Sequence, residues 1–206
     1  MNSNVKFRQL YVDEQLDSTN LRKISELVYE TDPYIYPSLF RSKEDAILVL
    51  SRLFNSKKDM MFTTQNCFVA ECNGRIVGII LWYEGSLLWD SCHLRDVANS
   101  SKVCLSEYFT MAEEQYFRSY SQVPKGTISL INICISAEQR NRKIGTKMLS
   151  AFLTEHKDTN MELYVLADNL IACKAYEKNG FRVTEKKQGF SVDNKDIMCL
   201  KMELKY

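Results

Sequence analysis

Proline and glycine are scarce in this chain, with three prolines and seven glycines in 206 residues. That scarcity fits a chain with no repeats, no low-complexity tract and no linker. No apolar run reaches the roughly 18 residues that a membrane-spanning helix requires. The longest, Ile76 to Tyr83, has the length of a strand and is interrupted by Gly78. The opening Met1-Asn2-Ser3-Asn4-Val5-Lys6 is polar, without the apolar stretch of a secretory signal. Charge of one sign is missing as well: Lys and Arg number 27 and Asp and Glu 26, a net charge of +1. Without a general basic field, a nucleic-acid binder is not expected. Histidine is limited to His93 and His156, and no Cys-x-x-Cys pair occurs, so zinc-ligand spacing is lacking and no metal is expected.

What is present suffices for an ordinary core. Hydrophobic residues make up 45% of the chain, and this length suits one domain over residues 1–206. The seven cysteines (Cys67, Cys72, Cys92, Cys104, Cys134, Cys173 and Cys199) are odd in number and mostly lie in apolar segments. They read as buried reduced thiols, as expected for a cytoplasmic protein.

The hydrophobic pattern predicts the elements. Val5 to Val12 alternates as a half-buried strand. Asp17-Ser18-Thr19-Asn20 has cap chemistry, and Leu21, Ile24, Leu27 and Val28 then recur at helical spacing. Pro33 and Pro37 stop that helix in a stiff loop. Ser42-Lys43-Glu44-Asp45 starts another, with Ala46, Ile47, Leu50, Leu53 and Phe54 on its apolar face. Asn66–Asn73 and Arg75–Tyr83 form a hairpin around Asn73-Gly74. Residues 84–101 read as irregular, and 103–120 as an amphipathic helix. A strand ending at Ile135, a helix to about His156, a strand from Met161 to Ala167, a short helix and a closing strand pair complete a mixed α/β layout: an antiparallel meander, a βαβ unit and an antiparallel end.

The chemistry is concentrated between Leu130 and Phe181. The strand Leu130-Ile131-Asn132-Ile133-Cys134-Ile135 leads into Gln139-Arg140-Asn141-Arg142-Lys143-Ile144-Gly145-Thr146. Backbone N–H groups at a helix start form a ready anion site, and three cations beside a glycine suit a pyrophosphate. The same cations would also suit a solvated turn or a nucleic-acid contact.

Arg140-Asn141-Arg142-Lys143-Ile144-Gly145 resembles the Arg/Gln-x-x-Gly-x-Gly/Ala signature of the GNAT superfamily of acyl-CoA-dependent N-acyltransferases, with Lys143 where the first glycine is usual. Asn169-Leu170-Ile171-Ala172-Cys173-Lys174-Ala175-Tyr176-Glu177-Lys178-Asn179-Gly180-Phe181 is similar to that family's second signature, with each characteristic position filled. The resemblance implies a GNAT-like fold: a mostly antiparallel central sheet whose parallel βαβ core is splayed at the cofactor site. It implies acetyl-CoA as co-substrate and direct attack by a primary amine on a small molecule or peptide.

The resemblance also implies residue roles. Arg140, Asn141, Arg142, Lys143, Ile144, Gly145 and Thr146 would hold the pyrophosphate. The backbone of Ile133, Cys134 and Ile135 would pair with the pantetheine arm. Asn169 would cap its helix and touch the cofactor, and Tyr176 would be the general acid. Packing is the competing role for Tyr176, and helix capping for Asn169.

The residues do not select a base: Glu71, Glu107, Glu113 and Glu114 are candidates, and Asn132 could position a water. Tyr29, Tyr34, Tyr36, Phe40, Trp82, Tyr83 and Trp89, with Glu30 and Asp32 among them, suggest either an acceptor pocket for a cationic amine or ordinary core. A non-catalytic acyl-CoA-binding module on the same scaffold is the alternative function. The exposed strand pair at the end of the chain leaves a homodimer open.

Overall fold

The structure is a computed structural model that describes residues 5–12, 14–56, 61–85, 90–114, 123–192 and 195–206. Its strands are β1 (Val5–Gln9), β2 (Cys67–Cys72), β3 (Arg75–Glu84), β4 (Thr127–Ile135), β5 (Asn160–Leu166), β6 (Arg182–Val192) and β7 (Lys195–Leu204). They form one seven-stranded sheet in the order β1-β2-β3-β4-β5-β7-β6. Only β4 and β5 run parallel; every other pairing is antiparallel. The fold class is therefore the mixed α/β one expected.

The first helices are set by their caps. Asp17 accepts from the Asn20 N–H at the start of α1 (Ser18–Tyr29), and Ser42 accepts from the Asp45 N–H at the start of α3 (Lys43–Phe54). Between them lies α2 (Ile35–Leu39). The expected stiff loop is thus partly one helical turn, because Pro37 sits in the first turn, where no intrahelical N–H is lost. Asn20 ties α1 to the hairpin: its Nδ2 donates to the Gly74 carbonyl at 3.1 Å and its Oδ1 accepts from the Ile76 N–H at 2.9 Å. The hairpin turns through Asn73 and Gly74 at φ 52° and 74°. Two successive left-handed residues match the twist of the flanking strands, which is why Asn-Gly was a strong signal.

Two expectations fail. Residues 91–100, read as irregular, are a helix, α4 (Ser91–Ser100), capped by Asp90 on the His93 N–H. The long helix expected over 103–120 does not begin at 103: residues 103–108 are not helical, and the described helical stretch is α5 (Phe109–Ala112) with a π-helical continuation at Glu113 and Glu114. Residues 115–120 of that segment, and Trp89, lie outside the described residues.

The sheet is packed on both faces. On one, α1, α2, α3 and α4 bury Ile24, Leu27, Ile35, Tyr36, Leu50 and Leu94 against Val69, Ile79 and Leu81. On the other, α6 (Ile144–Glu155) and α7 (Leu170–Lys178) bury Met148, Leu149, Phe152 and Cys173 against Phe68, Ile80, Leu163 and Met202. Cys67, Cys134, Cys173 and Cys199 are buried, Cys72 is partly so, and Cys92 and Cys104 are exposed; none of the seven is in a disulfide. No helix among the described residues is long and apolar enough to cross a membrane.

One buried charge holds β5 in this frame. Glu162, 3% exposed, meets Lys201 of β7 at 3.0 Å. Removing one partner strands the other in a poorly solvated site. Lys201→Met is expected to destabilise the fold by about 3 kcal/mol, read as a lower urea midpoint at unchanged slope, with Glu162→Gln/Lys201→Met recovering much of the loss.

Candidate active site

The parallel pair at the centre of the sheet is short. Thr127, Ile128, Ser129 and Leu130 pair with Asn160, Met161, Glu162 and Leu163. Beyond that point β4 continues to Ile135 and β5 to Leu166 without pairing to each other, while β4 stays bonded to β3 and β5 to β7. The sheet therefore splits along one seam. Ile133, Cys134 and Ile135 lie on the open side, where an extended ligand carrying amides could add as a strand does. Cys134 is buried, and its thiol is pushed up by desolvation although Arg140 pulls it down, so it is a core residue and not a poised thiolate.

The strand leads through a 3₁₀ turn, Ala137–Gln139, into the basic loop. Asn141 and Lys143 both have positive φ, 63° and 60°. Lys143 is the residue preceding α6 and makes no side-chain cap. The α6 start differs in this from α1, α3, α4 and α7, each of which has an Asp, Ser or Asn side chain on its third N–H. The N–H groups of Ile144, Gly145 and Thr146 find no acceptor among the described residues. Three unpaired donors at the positive end of a twelve-residue helix form an anion-binding cradle.

Gly145 has a packing reason as well. A Cβ there would stand 3.3 Å from Cγ1 of Ile135, so the missing side chain lets the helix start sit directly on the end of β4.

The cations are placed differently from one another. Arg142 and Lys143 are exposed, and the Arg142 guanidinium donates to Gln139 Oε1 at 3.1 Å. Arg140 turns back across the strand end: its Nε donates to the Ile135 carbonyl at 3.0 Å and its guanidinium lies 3.8 Å from Glu30. Arg140 thus sits on the open edge itself.

At the deep end of the seam lies a cavity of about 90 Å³. Its walls come from the loop after α1 (Thr31, Asp32), from α2 (Ile35, Tyr36), from the separated parts of β4 and β5, and from Asn169, Ala172 and Tyr176 of α7 and its cap. Asn169 accepts from the Ala172 N–H, so its capping role is realised. The Tyr176 ring packs edge-on to Phe181 at 6.0 Å, and its hydroxyl has no hydrogen-bond partner among the described residues. Burial pushes this phenol above its usual range, so it is protonated at neutral pH. Asn132 of β4 accepts from the Tyr36 hydroxyl at 3.1 Å and donates to Thr31 Oγ1 at 2.5 Å, locking the loop to the seam.

Most of the other candidates fall elsewhere. Phe40 and Tyr83 are buried core, and Trp82 packs on Phe152 and His156 on the far face. Tyr29 and Tyr34 pack against the core without reaching the cavity wall. Glu71 is paired with Arg8 at 3.1 Å and Glu113 with Arg95 at 3.7 Å, while Glu107 and Glu114 are exposed. None of these glutamates lines the cavity. The carboxylate that does is Asp32, which sequence reasoning passed over as a base. Its proximity to Asn132, a hundred residues away, leaves no local signal.

A split sheet edge and an uncapped helix start meet along one seam, and a phenol lines its closed end. The Acetyltransferase (GNAT) family model matches residues 31–181. Solved structures share the fold: an N-acetyltransferase from Staphylococcus aureus Mu50 is 16% identical with a TM-score of 0.66, covering 97% of this chain and 100% of its own. A GNAT acetyltransferase from Elizabethkingia anophelis with acetyl-CoA bound is 13% identical at a TM-score of 0.53, over 98% and 99% of the two chains. Arabidopsis thaliana Naa50, in complex with the bisubstrate analogue CoA-Ac-MVNAL, is 14% identical at 0.52, again over 98% and 99%. No curated protein sequence matches the chain. The chain belongs to the GNAT acetyltransferase family and is an acetyl-CoA-dependent N-acetyltransferase.

Lys143 carries the cost of its position. A side chain at φ 60° is strained by about 1–2 kcal/mol, partly offset by the roughly 0.5–1 kcal/mol that a glycine loses in chain entropy. Lys143→Gly is expected to raise stability by about 0.5–1 kcal/mol and to keep or improve acetyl-CoA affinity. Thermal unfolding and calorimetric titration check both.

Proposed function

We propose that the chain, acting as one domain over residues 1–206 in the cytoplasm, transfers the acetyl group of acetyl-CoA to a primary amine by direct attack. The observation that carries this reading is the split of β4 from β5 beside a helix whose first three N–H groups meet no acceptor among the described residues. The N–H groups of Ile144, Gly145 and Thr146 hold the pyrophosphate, with the Thr146 hydroxyl, the turn backbone at Asn141 and Lys143 and the Arg142 charge around it. Each charge-assisted hydrogen bond of this kind contributes roughly 1.5–3 kcal/mol. Arg140 leaves the Ile135 carbonyl or tilts beside it as the pantetheine amides take the open edge of Ile133, Cys134 and Ile135.

The thioester is then directed to the deep end of the seam, where Asn169 and Tyr176 lie. Tyr176 keeps its proton at neutral pH and gives it to the departing sulfur. The nitrogen pair of the amine forms the new C–N bond as the C–S bond breaks.

The acceptor is a small-molecule or peptide amine. Peptide amines are supported by the Naa50 complex and by the similarity in fold to the ribosomal-protein-S18-alanine N-acetyltransferase from Escherichia coli, 14% identical at a TM-score of 0.54. β6 forms one edge of the sheet and offers a second copy an open strand for a homodimer.

Tyr176→Phe is expected to bind acetyl-CoA as the wild type does and to lose at least about 10²-fold in kcat. Calorimetry and a thiol-release assay read the two effects. A loss under about 3-fold would return Tyr176 to a packing role, given what acid–base groups usually contribute. Tight acetyl-CoA binding without thiol release from any amine would favour the non-catalytic module.

A further inference from the structure

We propose that Asp32 is the amine-binding carboxylate and general base of this enzyme, holding the ammonium of the acceptor at the closed end of the seam. This rests on the acetyl-transfer function proposed above.

Three observations carry it. Asp32 is the only carboxylate among the described residues that line the cavity. It faces the same space as the phenol of Tyr176, so a proton acceptor and a proton donor share one cavity. And its two oxygens have separate tasks. Oδ1 accepts from the N–H groups of Tyr34 and Ile35, both at 2.8 Å, which fixes the carboxylate. Oδ2 takes no hydrogen bond from any described residue.

The rest of the wall is a mixture of apolar and uncharged polar side chains, in which Thr31 and Asn132 are bonded to each other and Tyr36 to Asn132. The other ionisable side chains of the lining are Tyr36, Tyr164 and Tyr176, all with phenols raised by burial and therefore neutral. No cation of the described lining neutralises Asp32, so an ammonium is the natural counter-charge. Desolvation also pushes the Asp32 carboxyl above its usual range, against the pull of the two N–H groups. This makes it a better proton acceptor than a surface carboxylate.

The step balances. One proton passes from the ammonium to Asp32 Oδ2. The freed nitrogen pair attacks the thioester carbon and the C–S bond breaks. The Tyr176 proton ends on sulfur. The second nitrogen proton passes through water to restore the phenol, and Asp32 releases its own to solvent. The net products are the acetamide, the thiol of coenzyme A and one proton.

Asp32→Asn is a selective test, because the asparagine Oδ1 can still accept from Tyr34 and Ile35. The variant should melt no lower than the wild type, since it removes a partly desolvated charge and keeps the turn. Acetyl-CoA should bind it unchanged; failure of the wild type to bind acetyl-CoA would sink the acetyl-transfer function itself. Calorimetry of spermidine into protein saturated with free coenzyme A should show about tenfold weaker binding in the variant, the loss of one charge-assisted hydrogen bond.

With spermidine, tyramine and ethylamine as acceptors, kcat should fall by about 10²-fold. With hydroxylamine, already unprotonated at neutral pH, it should change by less than about 3-fold, because no base is then needed. Equal loss on hydroxylamine and alkylamines would make Asp32 structural. Undiminished alkylamine turnover and spermidine affinity would remove it from the site. Wild-type protein that binds acetyl-CoA yet acetylates none of the three alkylamines would also overturn the proposal.

Discussion

The constraint on which the rest of this molecule depends is a failure of two strands to stay together. After Leu130 and Leu163, β4 and β5 part, yet each keeps its other neighbour. Backbone N–H and C=O groups on the inner side of Ile131 to Ile135 are thereby left without a ladder. Peptide groups of this kind bond to water or to an extended ligand with amides of its own. The Arg140 contact to the Ile135 carbonyl is a partial answer supplied by the chain. A side chain with a single Nε–H can cover one carbonyl and not a whole edge.

The same logic governs the helix that follows. Four other helices meet their first turn with a side-chain oxygen, from Asp17, Ser42, Asp90 or Asn169. An oxygen of that kind before α6 would occupy the donors that a phosphate needs. Lys143 offers none, and its left-handed backbone, with that of Asn141, turns the chain sharply enough to aim successive N–H groups outward. Strain and lost capping would be defects in a purely structural loop. Together at one point they fit the binding role proposed for this loop.

How far the sequence disclosed this follows from range. The Asn73-Gly74 hairpin, the Asp17 and Ser42 caps and the α6 and α7 signatures are local, and each was legible from a few adjacent residues. The Asp90 cap is just as local, but its helix is short and mostly polar, with Leu94 and Ala98 its buried residues, so no apolar stripe announced it. The opposite error came at 103–108, where apolar spacing suggested a helix and the backbone is not helical before Phe109. Periodicity records which residues are buried, not that the backbone between them is regular. The pairing of Asn132 with Tyr36 and Thr31 joins segments about a hundred residues apart. No short-range rule reaches that distance, and so Asp32 was not distinguished from Glu30 or from the glutamates of other elements.

The split also solves a problem of placement. A continuous sheet keeps its two covering layers apart, since each packs on its own side of the sheet. Here α2 belongs to the core on one face and Tyr176 of α7 packs against the core on the other. Yet Tyr36 and Tyr176 line a single cavity. That is geometrically possible only where the strands between them have separated. Opening the seam therefore does two things at once: it exposes a strand edge along which a carrier can lie, and it lets groups from opposite faces converge on the carrier's reactive end. Because each face is anchored by its own buried cluster, the convergence is held by the rigid parts of the molecule. Residues on either side of the gap can then differ in charge and proton affinity without being in direct contact.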